Sequence, residues 1–153
     1  MEPFDPSRRV PSHKNLINSA YRCLVDDLCV LAIIDPDLPK AQAVLSRKRT
    51  EKIPGYAQTQ VLRDIAEYKG EDPHAIFVGA PPAFRGSIHP GRDLEIQVAR
   101  KFPRSGIFVE KPLSSGVPED VIPVGEYFAE HGNFVVVGYM SRYLKSGHFL
   151  HRV

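Results

Sequence analysis

Tryptophan is absent from this chain of 153 residues, cysteine and methionine occur twice each, and no glycine appears before Gly55. Cys23 and Cys29 share one short segment without a C-x-x-C spacing or a partnering histidine cluster. That excludes a disulfide framework and a zinc site and assigns both thiols to the core. Long apolar runs are also missing: the longest, residues 28–34, falls far short of the roughly 18 to 20 residues that cross a bilayer. Neither sign of charge is in excess, since Lys+Arg 20 against Asp+Glu 18 leaves a formal +2. Nucleic acid is then a poor partner, because phosphate binding needs cations clustered on one face. The one strong cluster, Arg47-Lys48-Arg49, falls where a helix ends and suits the negative end of its dipole.

With 42% hydrophobic and 25% charged residues, the composition is that of a soluble globular domain. A chain of this length holds one core, so a second, catalytic domain does not fit. Residues 1–11 carry Pro3, Pro6 and Pro11 among charges and lack the apolar stretch of a secretory signal. They read as a disordered segment, and the cytoplasm is the expected compartment.

Proline and glycine divide the rest into alternating apolar and amphipathic stretches. Ser12 caps an expected helix over 12–24. A continuously apolar strand over 29–34, covered on both faces, stops at Asp35-Pro36, and Pro39 opens a helix over 40–49. Val61, Leu62, Ile65, Ala66 and Tyr68 form a helical stripe ending at Gly70. A short strand over 75–78 is closed by Gly79-Ala80-Pro81-Pro82, where adjacent prolines remove backbone donors. After a loop over 84–92, a helix over 93–101 places Leu94, Val98 and Phe102 on one side. A strand over 106–109 runs into Glu110-Lys111-Pro112. The next helix, over 119–131, buries Val121, Ile122, Val124 and Phe128, carries Pro123 in its first turn and closes at Gly132. A last strand covers 134–139. Right-handed crossovers between such strands make a doubly wound, mostly parallel α/β sheet with helices on both faces. Its ligands bind beyond the carboxyl ends of the strands.

The residues at those ends are therefore the candidates. Asp35 ends its strand with a carboxylate suited to ribose hydroxyls and hostile to a 2′-phosphate, and it equally suits a plain Asp-Pro turn. Lys111 sits between an acid and a helix-breaking proline, from where it can polarise or orient a hydroxyl, and taken alone the tripeptide is more simply a solvated lysine beside a proline that stops a strand. Taken in order, Ile33-Ile34-Asp35-Pro36-Asp37, Ile76-Phe77-Val78-Gly79-Ala80-Pro81, Phe108-Val109-Glu110-Lys111-Pro112-Leu113 and Val137-Gly138-Tyr139-Met140-Ser141-Arg142-Tyr143 resemble the glucose-fructose oxidoreductase and inositol dehydrogenase family, Gfo/Idh/MocA. The likeness spans residues 12–143.

The resemblance implies an NAD(P)-binding Rossmann domain over 12–145 with a tail over 146–153. In full-length members a substrate domain follows, and hydride passes between nicotinamide and a sugar, polyol or related CH–OH compound. Asp35 would then contact ribose, which leans the cofactor toward NAD over NADP. Ala80 and Pro81 would line the nicotinamide side, Glu110 and Lys111 would sit by the nicotinamide, and Arg142 would lie near the cofactor. Lys111 is the candidate catalytic residue.

Two departures qualify the likeness. The family opens with a strand and a G-x-G-x-x-G turn whose glycines admit the pyrophosphate, and nothing of that kind precedes Asp35. The histidine acid/base of full-length members belongs to the substrate domain. A sheet without its first strand exposes two apolar edges, which predicts pairing with a second copy or aggregation. The expected product is thus a truncated nucleotide domain with little or no activity alone, the alternative being a non-catalytic nucleotide-binding or interaction module.

Overall fold

The structure, a computed structural model, describes residues 28–139. The helix expected over 12–24, Cys23 and Arg142 lie outside them. The chain divides into two compact units, Met1–Gly70 and Glu71–Val153.

In the first unit, β1 (Ala32–Ile34) pairs in parallel with β2 (Gln60–Leu62), Ile33 opposite Val61. Two flanking bonds extend the ladder, from the Gln60 amide to the Leu31 carbonyl and from the Asp35 amide to the Leu62 carbonyl, each 3.0 Å. The crossover is α1 (Leu38–Thr50), which Pro39 opens and Asp37 caps by accepting the Lys40 amide at 3.1 Å. Leu45 of α1 and Tyr56 are buried together, with Leu28, Val30, Ile33, Ile53 and Val61 packed against them. The basic cluster does end a helix, and Arg49 does more than offset its dipole. Its guanidinium donates to the carbonyls of Tyr56, Ala57 and Thr59 at 3.0 to 3.1 Å, which ties the connection down.

Three expectations fail here. The strand expected over 29–34 is regular only at Ala32–Ile34, and it is not covered on both faces, since Ile34 is 42% exposed. Cys29 is exposed rather than a core thiol. Val61 and Leu62 lie on β2 and not on a helix, and only Ile65–Glu67 makes a single 3-10 turn, capped by Asp64. A run of two or three apolar residues has no period of its own, so pairing with β1 decides its conformation.

In the second unit, β3 (Ala75–Val78), β4 (Gly106–Val109) and β5 (Val135–Val137) form a parallel sheet in that order. Central β4 holds Ile107 and Val109 at 1% and 0% exposure, as a strand with two neighbours should. The crossovers are α2 (Leu94–Lys101) and α3 (Pro118–His131). Gly132, at φ 67°, ends α3 in the left-handed region, where glycine carries no Cβ penalty. Because α3 starts at Pro118, Pro123 lies beyond the first turn and costs the helix one interior hydrogen bond. Ile122 is 59% exposed, contrary to expectation, because Val124 and Phe128 define the buried stripe.

Among the described residues all pairings are parallel and all crossovers within a sheet are helical. The orders β2-β1 and β3-β4-β5 are those of strands 3-2 and 4-5-6 of a doubly wound sheet, so the chain has the α/β Rossmann-like fold. Among the described residues β1 and β3 each have one strand partner, and the expected single sheet is found as two. No helix among the described residues is long and apolar enough to cross a membrane.

Candidate functional site

The carboxyl ends of β3, β4 and β5 lie together at one edge of the three-stranded sheet. After β3 the chain passes through Gly79, Ala80 and Pro81 into a 3-10 turn at Pro82–Phe84, closed by the Phe84 amide on the Pro81 carbonyl at 3.0 Å. A Cβ on Gly79 would meet nothing within 4 Å, so the turn has open space beside it. The next side chain, Arg85, is 1% exposed. Its Nε donates to the Ala80 carbonyl at 2.7 Å and its Nη1 to the Glu110 carbonyl. One guanidinium thereby joins the end of β3 to the end of β4.

Glu95 on α2 is the second buried charge, at 0% exposure. Its Oε1 accepts the Gly86 amide at 2.5 Å, while Oε2 has no hydrogen-bond partner among the described residues. Burial pushes the Glu95 carboxyl above its ordinary value, and Asp93 adds to this. The bonds from its own amide and from Gly86, and the charge of Arg85, act against the rise. Burial pushes Arg85 down, with Glu95, Glu110 and Tyr139 opposing. The Glu110 carboxylate reaches the residue just after β5, since a Cβ on Gly138 would stand 3.3 Å from its Oε2.

Ala80, Pro81, Glu110 and Lys111 are thus brought together. Lys111 is exposed, joined to Pro112 by a cis peptide bond, and no salt bridge among the described residues engages it. Asp35 belongs to the other unit. Its Oδ1 accepts the Asp37 amide at 2.9 Å, the turn-forming use of an aspartate before proline. Sequence reasoning missed Arg85 and Glu95. A signal for the glutamate exists, because residues 95, 98, 99 and 102 form one helical stripe and Glu95 is its charged member.

Glu95 makes stability depend on pH with a definite sign. A carboxyl whose value is higher in the fold than in the unfolded chain stabilises fully below the ordinary value of 4.5. That contribution is lost as pH rises through the folded value. In urea unfolding, the wild-type protein is therefore expected to gain stability relative to Glu95→Gln as pH falls from neutral toward that range. A difference that stays flat with pH would show that Glu95 does not titrate this way.

The family described as an oxidoreductase family with an NAD-binding Rossmann fold, GFO_IDH_MocA, matches residues 13–139. Two proteins of Schizosaccharomyces pombe are also similar. UNK4.17 is 35% identical over 127 residues, covering 78% of this chain and 31% of its own length. C12C2.04 is 32% identical over 139 residues, covering 84% and 36%. Both carry the description "uncharacterized". The chain spans about a third of the length of these relatives. No solved structure matches it.

Proposed function

The chain belongs to the Gfo/Idh/MocA oxidoreductase family with its NAD-binding Rossmann fold, and on that premise we propose that it forms the dinucleotide-binding part of an enzyme that moves a hydride between nicotinamide and a CH–OH carbon of a sugar or polyol. The observation that carries the reading is the convergence of Ala80, Pro81, Glu110 and Lys111 at the carboxyl ends of β3 and β4. Parallel sheets of this type bind ligands at that end.

The residues suit the group. The open space beside Gly79 and the exposed ring of Pro81 accommodate a flat nicotinamide. The nicotinamide accepts or gives the hydride when bound. Lys111, exposed and outside any salt bridge among the described residues, donates a hydrogen bond to the oxygen of the reacting carbon and steadies negative charge there. The main chain from Gly79 to Pro81 positions the ring.

Calorimetric titration of the purified chain with NADH and NADPH tests the reading: saturable binding of NADH is expected, and binding of neither overturns it. Asp35 at the end of β1 favours NAD by repelling a 2′-phosphate. Removing its charge with Asp35→Ser is expected to raise NADPH affinity relative to NADH about tenfold, because two like charges about 4 Å apart in water repel by about 1 kcal/mol and a factor of ten is about 1.4 kcal/mol. An unchanged ratio would assign Asp35 to the turn alone.

A further inference from the structure

We propose that Arg85 is a positioning residue, which holds the turn after β3 and the segment after β4 in one fixed relation so that the nicotinamide-facing backbone and the Lys111 ammonium are presented together. The proposal rests on the cofactor reading above and adds the device that shapes its nicotinamide side. Neither segment has regular structure of its own. Gly79, Ala80 and Pro81 lie past the last ladder bond of β3, and Lys111 follows the last bond of β4, from the Glu110 amide to the Val78 carbonyl at 3.0 Å. Beyond that bond, the Arg85 guanidinium spans the gap by donating to one carbonyl from each segment.

The fork geometry of a guanidinium allows this double donation, and an ammonium, which is a single point charge, does not reproduce it. Burial strengthens the arrangement, since water does not compete at a side chain that is 1% exposed. Glu95 completes it from α2 by fixing Gly86, the residue next to Arg85, and by supplying a negative charge in the same buried neighbourhood. Arg85 touches no reacting atom in this scheme. It acts through the backbone on either side of the proposed ring site.

The test compares wild type, Arg85→Lys and Ile96→Val by two measurements on the purified chain. Ile96→Val trims a core residue of α2 that is 1% exposed and serves as a control for lost stability alone. In the first measurement, amide hydrogen exchange without ligand, Arg85→Lys is expected to speed exchange about tenfold in residues 79–86 and 110–115. Residues 106–109 should stay within about twofold of wild type, and Ile96→Val should not reproduce the pattern. In the second, binding of NADH is compared with binding of ADP-ribose, which lacks the nicotinamide. Arg85→Lys is expected to weaken NADH about tenfold and to leave ADP-ribose within about twofold.

Exchange in the two segments that matches wild type, or matches Ile96→Val, overturns the clasp. Equal losses for NADH and ADP-ribose overturn the positioning role and reduce Arg85 to a structural residue. Wild-type protein that binds neither ligand overturns the cofactor reading, and with it the role given to Arg85 there, while the exchange data still decide whether the clasp exists.

Discussion

Replacing Arg85 with alanine is expected to lower the unfolding free energy by about 3 to 5 kcal/mol, read as a drop in the urea midpoint with an unchanged slope. The magnitude follows from what the alanine leaves behind. The Ala80 and Glu110 carbonyls each lose a charged donor, and such bonds contribute roughly 1.5 to 3 kcal/mol apiece. Glu95, already pushed toward its neutral form by burial, loses the cation that offsets part of that cost. Against a typical total of about 5 to 15 kcal/mol this is a large fraction. The double variant Arg85→Ala/Glu95→Gln should recover part of the loss, because the carboxylate is then no longer buried without its counter-charge. A drop below about 1 kcal/mol for Arg85→Ala would mean that water or another donor takes over both carbonyls.

Much of this fold is legible in the sequence because its strongest elements are bounded on both sides. Ala75–Val78 and Gly106–Val109 are short apolar runs ending in Gly-Ala-Pro-Pro and Glu-Lys-Pro, and the structure places strands at both. Helices α1 and α2 follow from a proline opening and an apolar stripe. What fails is what only tertiary structure decides. Val61 and Leu62 become a strand because β1 lies beside them, and Ile122 faces outward because the stripe through Val124 and Phe128 already buries α3. Cys29 is exposed because the regular part of β1 begins three residues later, at Ala32.

The site divides along the same line. Glu110, Lys111, Ala80 and Pro81 are found from their positions after strands, a rule that needs only the order of elements. Arg85 and Glu95 escape it, because charged side chains are almost never fully buried unless they are partnered. Their partners here are backbone carbonyls and backbone amides, groups that nearly every residue carries and no sequence pattern marks.

Gly86→Ala is expected to be the second severe substitution, lowering stability by about 2 to 5 kcal/mol in the same urea experiment. Two separate penalties make up that figure. Gly86 has φ 76°, in the left-handed region that costs an alanine roughly 1 to 2 kcal/mol. A Cβ there would also press on the Ser114 side chain and stand 2.8 Å from the Leu113 carbonyl oxygen, an overpacking worth about 1 to 3 kcal/mol. The backbone oxygen cannot rotate aside, so the segment two residues beyond Lys111 has to move. Gly86→Ala/Ser114→Gly should therefore recover only part of the loss. Gly125→Ala supplies the contrast. That glycine lies inside α3, a Cβ on it would meet nothing within 4 Å, and alanine there should raise stability by about 0.5 to 1 kcal/mol. Equal small effects at both glycines would show that the loop after Arg85 yields freely, and that the segment carrying Lys111 is not held by its packing against Gly86.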